Sequence, residues 1–326
     1  MNRLYPLKFT PVFKERIWGG NKIRDLLGLD FSPLPNCGEA WVLSGVPGSQ
    51  SPVANGFLKG NELNELVEIY MDDLVGEKVF EKHPDEFPVL IKFIDANDYL
   101  SIQVHPDDEV AARRNLGNGK SEMWYILQAD PGAGLFTGFS REMDRESYLR
   151  HMKEKTLKEI LNREEVKSGD AFYIPAGRVH ALGPGILLAE IQQTSDVTYR
   201  MYDWDRVDQQ GRSRELHTDL ALDAIDFHHH PSYREDVKKQ ENAAVTVVDS
   251  PFFTTNLNRF SRPFAKDFSS RDSFTVFICI NGSADVEYQE GTISLSAGET
   301  MLIPAEMEKV LLQPSPFCEI LEVYIS

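Results

Sequence analysis

The chain has 326 residues, enough for one large or two modest domains, and its hydrophobic fraction of 41% and aromatic fraction of 10% are ordinary for a globular protein. The net charge of −17 argues against nucleic acid or an anionic membrane as a partner, so an anionic substrate would have to meet a local cluster of cations. The three cysteines, Cys37, Cys279 and Cys318, are far apart in the sequence, which excludes a disulfide framework and a cysteine-based zinc site. The sequence shows no apolar run typical of a signal peptide or of a membrane span, which predicts a soluble cytoplasmic protein.

The first part of the chain predicts short strands and two helices. Residues 1–56 are rich in glycine, proline and aromatic residues, with strand-like pieces between them. Residues 61–80 carry apolar side chains at helical spacing with acidic residues between, which is typical of an amphipathic helix. Residues 88–94 form the apolar run of a buried strand, and residues 100–104 continue with alternation. The acidic residues from Asp107 suit a helix start, because a helix N-terminus is partially positive.

The second part returns to strands after one more helix. Residues 142–165 are charged, with one apolar face, and predict a helix. Residues 170–199 predict short strands separated by proline and glycine, and residues 205–240 read as a polar connector. The remaining predicted strands are 123–127, 275–280, 284–288, 292–295, 300–303 and 309–312.

An internal repeat indicates the architecture. Ser168–His180 and Ala297–Lys309 share a glycine followed by an acid, then a segment ending in Ile-Pro-Ala, at an offset of 129 positions. The first copy resembles the second cupin motif, a strand-turn-strand that carries a metal-binding histidine, and the second copy has Lys309 where the first has His180. We therefore expect a mainly β protein of two cupin-like antiparallel β-barrels of jelly-roll type with a small helical insertion. The predicted domains are a catalytic metal-binding barrel, 1–235, and a C-terminal barrel without metal, 243–326.

Four residues predict a metal site. Gln103 and His105 are two apart, so on a strand both side chains face the same side, and a barrel interior is such a side. With Glu122 and His180 they offer two imidazoles, a carboxylate and an amide oxygen, which suit a divalent metal such as zinc. Taken singly, each of these residues also has a purely structural explanation. A His-Pro pair is most often a turn, and Glu122 beside Lys120 is typical of a surface ion pair.

Several segments together resemble a type I mannose-6-phosphate isomerase (phosphomannose isomerase) of the short bacterial form. The resemblance covers residues 1–220 and, more weakly, the C-terminal barrel, and the Gln-Val-His-Pro-Asp-Asp segment is its most specific part. The segments that carry it are Gly38–Trp41, Leu90–Ala96, Leu100–Asp108, Gly119–Tyr125, Ile174–Ala181 and Glu190–Arg200. Longer members carry a large helical domain, which here would shrink to the helix around 142–165.

The resemblance implies a reaction and a set of residues. The reaction is the interconversion of mannose 6-phosphate and fructose 6-phosphate through a cis-enediol intermediate, with one Zn²⁺ per chain and a small sugar phosphate as the only partner. No oligomeric state is implied. The implied zinc ligands are Gln103, His105, Glu122 and His180. Arg200 matches an active-site arginine that would stabilise negative charge. Lys120 matches an active-site lysine and is assigned to catalysis, Ser101 matches a serine near the substrate phosphate, and both would hold the phosphate.

The general base has several candidates: Asp196, Glu190, Lys92 and a zinc-bound water. Lys92 lies in a strongly apolar strand, where burial would lower its pKa, although a strand-end lysine reaching for solvent is an equal explanation. Asp196 is assigned to catalysis, with an ion pair to Arg200 as the alternative. Glu190 and Lys92 are also expected to contact the substrate. His217 and the run 228–230 are expected to have no functional role.

Two other functions fit the same fold. A cupin dioxygenase would hold iron with two or three histidines and a carboxylate, and the presence of only two histidines and a glutamine argues against it. A non-catalytic cupin that binds sugar phosphates would bind ligand without turnover, and it would not require Arg200.

Overall fold

The computed structural model describes residues 3–207 and 210–326. It is mainly β, and its antiparallel strands form three sheets. The strands are β1 Leu7–Lys8, β2 Val12–Lys14, β3 Glu39–Leu43, β4 Val89–Ala96, β5 Ile102–Val104, β6 Glu122–Ala129, β7 Gly134–Phe139, β8 Leu161–Glu165, β9 Ala171–Ile174, β10 His180–Leu182, β11 Ile186–Gln193, β12 Tyr199–Tyr202, β13 Ala243–Asp249, β14 Thr254–Phe260, β15 Phe264–Asp267, β16 Thr275–Tyr288, β17 Gly291–Ser296, β18 Thr300–Ile303 and β19 Lys309–Tyr324.

The helices are short and lie outside the sheets. None in the described part of the chain is both long and apolar enough to cross a bilayer. They are α1 Lys22–Leu27, α2 Leu63–Val75, α3 Glu77–Lys82, α4 Asp108–Arg113, α5 Arg145–Glu154, the 3₁₀ helix Leu157–Ile160, and α6 Thr218–Leu222.

The first half of the chain builds two facing sheets. One has the order β2-β3-β4-β11-β6-β9 and the other the order β12-β5-β10-β7-β8. Between them lies an apolar core to which the first sheet contributes Trp124 and Phe172 and the second contributes Leu135 and Leu182. The predicted cupin-like barrel is therefore a jelly-roll sandwich of two separate sheets around a common interior.

The pairing of strands aligns polar side chains into rows across this interior. In the six-stranded sheet, Lys92 lies opposite both Trp41 and Glu190, and Glu190 lies opposite Trp124. In the five-stranded sheet, Gln103 lies opposite both His180 and Arg200. Because residues opposite each other on paired strands face the same side, the two rows project into the same space.

The second half of the chain forms an eight-stranded sheet that wraps around its own apolar core. Its longest strands, β16 and β19, pair with each other through two irregularities in register, which let the sheet bend. β1 pairs with β18 in this sheet, so the N-terminal strand belongs to it. Lys309, which aligns with His180 in the sequence repeat, is exposed and pairs with Asp267 at 3.3 Å.

The largest apolar core joins the two halves. It contains residues of β4, β6 and β11 on the outer face of the six-stranded sheet, residues of the C-terminal sheet, and residues of α1, α2 and α3. Strands β4 and β11 are buried on both faces, which explains why residues 89–94 are almost continuously apolar.

Two predicted helices differ from the structure. The helix expected at 61–80 is divided into α2 and α3 at Gly76, whose φ of +92° favours glycine; a Cβ there would also lie 2.6 Å from the carbonyl oxygen of Asp272. The helix expected at 142–165 begins after Asp144, which accepts a hydrogen bond from the Ser147 amide, and α5 ends at Glu154. Residues 161–165 are a strand instead, because they pair with β7. Residues 208 and 209 of the predicted connector lie outside the described residues.

Candidate metal centre and substrate cleft

Three buried side chains converge at the ends of three strands. His105 follows β5, Glu122 begins β6 and His180 begins β10, and each is at most 1% exposed. One ligand atom from each lies within 4.8 Å of the others. Glu122 Oε2 is 3.5 Å from His105 Nε2, and Glu122 Oε1 is 3.3 Å from His180 Nε2. The two sheets thus bring together residues that are up to 75 positions apart in the chain.

Backbone carbonyls set the orientation of both imidazoles. The carbonyl oxygen of Val197 lies 2.9 Å from His105 Nδ1, and that of Arg178 lies 2.8 Å from His180 Nδ1. A carbonyl oxygen can only accept, so each Nδ1 carries the proton and donates it. Each Nε2 therefore presents a lone pair toward Glu122, which is the arrangement that a metal ligand requires.

The cluster leaves buried polar atoms without partners. His105 Nε2 and both carboxylate oxygens of Glu122 are buried and have no hydrogen-bond partner among the residues that the structure describes. Burial, together with the charge of Glu190, raises the pKa of Glu122. Burial lowers the pKa of His180 to about 4 and holds the pKa of His105 well below its ordinary value. Neutral imidazoles beside an unsatisfied carboxylate form a donor set that fits a divalent metal, which would satisfy these atoms.

Gln103 lies at the edge of this cluster. Its side-chain nitrogen is 3.2 Å from His180 Nε2, which accepts because the proton of that ring is on Nδ1. The nitrogen and oxygen of a glutamine amide are exchanged by a half-turn of the side-chain amide. The same position thus gives an amide oxygen to the cluster after that rotation, as the predicted fourth ligand requires.

The cluster opens onto a cleft of about 580 Å³. His180 and Gln103 form part of its wall, and the apolar part of the wall includes Trp18, Leu100 and Leu182. Six cationic side chains line the cleft against three carboxylates, so it is locally positive in a chain of net charge −17. The cations are Lys14, Arg16, Lys92, Lys120, Arg200 and Arg214, and the carboxylates are Glu39, Glu190 and Asp196.

Lys92 and Glu190 form a buried ion pair in the floor of the cleft. Lys92 Nζ is 3.1 Å from Glu190 Oε1 and donates to Gln192 Oε1 at 2.7 Å, while Trp124 Nε1 donates to Glu190 Oε2 at 2.9 Å. The expected low pKa of Lys92 is wrong. Burial acts to lower it, but Glu190 and Glu39 outweigh burial and the pKa is raised. Burial likewise acts to raise the pKa of Glu190, but Lys92 and Lys120 lower it, so both groups are charged.

Lys120 lies beside the metal cluster, and Arg200 lies on the strand next to that of Gln103. Lys120 Nζ is 3.5 Å from Glu122 Oε2. Arg200, opposite Gln103 in the sheet, donates from Nη1 to the carbonyl oxygen of Glu215 at 2.9 Å. Its Nε is buried and has no hydrogen-bond partner in residues 3–207 and 210–326. His217 Nδ1 accepts from the Arg200 amide at 3.1 Å, so this histidine supports the arginine backbone.

The other predicted residues lie on the cleft wall. Ser101 is 5% exposed and lines the cleft two positions before Gln103. Asp196 also lines the cleft, is exposed, and makes no ion pair with Arg200. The sequence analysis missed four residues of the wall, which are Lys14, Arg16, Ser49 and Arg214. The spacing of Val12 and Lys14, and that of Glu39 and Trp41, was the signal that could have placed these strands at the cleft, because alternate residues of a strand share a face.

Comparisons with known proteins identify the family. Residues 6–131 match the model of the phosphomannose isomerase type I catalytic domain, and residues 243–325 match that of the mannose-6-phosphate isomerase cupin domain. Mannose-6-phosphate isomerase ManA of Bacillus subtilis is 34% identical over 318 residues, covering 96% of this chain and 97% of that protein. The mannose-6-phosphate isomerase of Streptococcus mutans is 39% identical over 251 residues, covering 76% and 77%. A crystal structure of the Bacillus subtilis mannose 6-phosphate isomerase superimposes with a TM-score of 0.89 at 33% identity, covering 99% of this chain and 100% of that one. The chain therefore belongs to the type I mannose-6-phosphate isomerase family, whose members are aldose-ketose isomerases.

Proposed function

We propose that this protein interconverts mannose 6-phosphate and fructose 6-phosphate with one zinc ion held by Gln103, His105, Glu122 and His180. The observation that carries the proposal is the buried, unsatisfied His105–Glu122–His180 cluster, which opens onto a positively charged cleft. Two neutral imidazoles and one carboxylate leave a divalent ion with net positive charge. The cations around the cleft offset the repulsion that a chain of net charge −17 exerts on a sugar phosphate.

The reaction moves a proton from C2 to C1 and a carbonyl group from C1 to C2. The cis-enediol intermediate carries developing negative charge on its oxygens, and the bound metal supplies Lewis-acid stabilisation of that charge. Arg200 adds a fixed cation beside the cluster, and its buried, unpartnered Nε–H is a free donor for a substrate oxygen. Lys120, at 3.5 Å from Glu122, supplies a second cation and Ser101 a hydroxyl donor, and we assign both to the phosphate of the bound sugar.

Among the candidate bases, we assign the proton transfer to Asp196. Lys92 is charged and engaged with Glu190 and Gln192, so it has no lone pair to accept a proton. Glu190 is held by Lys92 and Trp124, so its charge is already compensated, and we give these residues the task of orienting the substrate. Asp196 borders the cleft on the side of Arg200 and carries no ion pair in the described part of the chain.

The test is a coupled assay of mannose 6-phosphate turnover by the purified protein, by the chelated protein and by the chelated protein after zinc is restored. Activity that disappears with chelation and returns with zinc supports both the reaction and the metal. Binding of one zinc without turnover would contradict the isomerase proposal and favour a binding role.

Two further expectations belong to this proposal. We divide the chain into a catalytic unit, 1–235, and a C-terminal unit, 243–326, that supports it. We also expect the protein to act in the cytoplasm.

A further inference from the structure

The three ligands of the candidate metal centre lie on three separate segments of the chain. His105 follows β5, Glu122 begins β6 and His180 begins β10. The carboxylate of Glu122 lies 3.5 Å from the ring nitrogen of His105 and 3.3 Å from that of His180. A metal site has to be held to within about 0.5 Å of its working geometry. The side chains that join these three segments therefore decide how well the site is formed.

Gln193, the last residue of β11, is bonded twice to the segment that carries Glu122. Its backbone amide donates to the carbonyl oxygen of Ser121 at 3.1 Å, and its side-chain Oε1 accepts from the Ser121 amide at 2.9 Å. The side chain thus continues the pairing of β6 with β11, in which Gln192 lies opposite Glu122. Gln193 is 8% exposed and Ser121 is 2% exposed, so bulk water cannot readily replace these bonds.

The nitrogen of the same side-chain amide reaches the segment that carries His105. Gln193 Nε2 donates to Asp108 Oδ1 at 3.0 Å, and this oxygen also accepts from the Gly119 amide at 2.8 Å. Asp108 is three residues after His105. The two segments touch through their backbones, because a Cβ on Gly119 would lie 2.5 Å from the backbone nitrogen of Asp108. Gln193 therefore joins the segment before Glu122 to the segment after His105.

Ser121 extends this connection to the third ligand. Its hydroxyl oxygen accepts from the amide of Ala176 at 3.1 Å, and Ala176 lies in the turn between β9 and β10 that leads to His180. Gln193 is thus bonded directly to the segment of one ligand, through Asp108 to the second and through Ser121 to the third. A loss of its side-chain amide would loosen all three segments together.

We propose that Gln193 is a positioning residue for the metal centre, and that its side-chain amide, acting with Ser121, holds the three ligand segments at the separation that gives the site its affinity for zinc. The inference rests on the metal site of the proposed function. In residues 3–207 and 210–326, the lining of the cleft includes neither Gln193 nor Ser121, so both act through the ligands and not on the substrate. Side chains that support metal ligands typically contribute about 10- to 100-fold to metal affinity.

The test measures the Kd for zinc of Gln193→Met by competition with a chromophoric chelator. The change removes both hydrogen bonds of the side-chain amide and keeps a side chain of similar length. We expect the Kd to rise by about 10- to 100-fold. The backbone bond from Lys120 to Pro106, at 3.0 Å, remains, so the segments should loosen without unfolding. Ser121→Ala, which breaks the bond to the turn before His180, should raise the Kd in the same direction and covers the case in which Gln193→Met folds poorly.

Asn256→Leu is the matched control for a general loss of stability. Asn256 is also 8% exposed, and its Oδ1 accepts from Thr246 Oγ1 at 3.0 Å in the C-terminal sheet. The control loses a buried amide far from the metal cluster, so its Kd for zinc should stay within about twofold of the wild-type value. The visible absorption spectrum of Co²⁺-loaded protein reports the geometry of the ligands. It should change in Gln193→Met and stay the same in Asn256→Leu.

The outcomes separate this inference from the proposed function. Zinc binding and turnover by the wild type, with equal Kd values for Gln193→Met and Asn256→Leu, would overturn the inference and leave the isomerase proposal standing. Zinc binding that weakens in Gln193→Met, without turnover by the wild type, would support the inference and contradict the isomerase proposal. A wild-type protein that binds no zinc would overturn both.

Discussion

Replacement of Lys92 by methionine tests the electrostatic account of the cleft floor. Lys92 is 5% exposed and Glu190 is 4% exposed, and their charged atoms are 3.1 Å apart. Methionine fills a similar volume without charge, so the substitution leaves the Glu190 carboxylate buried with Trp124 as its remaining close donor. The change therefore measures what an uncompensated charge costs at this position.

The geometry sets the magnitude. At 3.1 Å and an effective dielectric constant of about 20, the attraction between the two charges is about 5 kcal/mol. Loss of one partner of a buried pair typically lowers the free energy of unfolding by about 3–5 kcal/mol, because the other charge stays desolvated. We expect Lys92→Met to fall in this range at neutral pH. The double variant Lys92→Met/Glu190→Gln should lose less than Lys92→Met alone, since it buries no unpaired charge.

Urea denaturation of zinc-loaded protein measures these changes, with Lys59→Met as the exposed-lysine control. A double-mutant cycle over Lys92 and Glu190 should give a coupling energy of about 2 kcal/mol or more. A loss under about 1 kcal/mol in Lys92→Met, or losses that simply add in the double variant, would refute the argument that the two groups are charged and mutually dependent.

Three other predictions concern the metal, the arginine and the C-terminal sheet. His180→Ala should lose bound zinc, measured by elemental analysis, together with turnover; zinc retained at one per chain would show that the ion binds elsewhere. Arg200→Met should lower kcat by about 100- to 1000-fold with a smaller change in KM, and equal losses in kcat and in inorganic phosphate affinity would contradict its assignment to the reacting end. Burial acts to raise the pKa of Glu322, but Lys266 and Arg271 outweigh it and the pKa is lowered. The stability that this carboxylate contributes is therefore present above its unfolded-state pKa of about 4.3 and is lost as the pH falls through the lower pKa of the folded state. Glu322→Gln should therefore cost about 3–5 kcal/mol at pH 7 and less below about pH 4, as measured by urea denaturation, and a pH-independent difference would contradict this account.

The structural features that depend on short local sequence patterns were the easiest to predict from the sequence. The spacing of Gln103 and His105 places both side chains on one face of a strand, and the repeat that contains His180 identifies a strand-turn-strand. These signals predicted the cupin-like fold, because each depends on neighbours within a few residues. The convergence of His105, Glu122 and His180, which the structure shows, joins distant segments and was implied by the resemblance to the isomerase family.

Properties that depend on pairing between distant strands were harder to predict. The raised pKa of Lys92 depends on Glu190, 98 positions away, which only the β4–β11 register brings opposite. The strand at 161–165 is likewise decided by its pairing with β7, against a helical pattern in the preceding residues. Lys14 was overlooked because its strand has only three residues, which makes the alternation of Val12 and Lys14 a weak signal.

The core shared by the two halves has a consequence for how the molecule can vary. The outer face of the six-stranded sheet is apolar, and the C-terminal sheet, completed by β1 from the opposite end of the chain, covers it together with α1, α2 and α3. A fragment cut near residue 240 would expose this face and tend to self-associate. The C-terminal half thus acts on the cleft through the surface that it presents to the six-stranded sheet, because substitutions there reach the back of β4 and β11, the strands that carry Lys92 and Glu190.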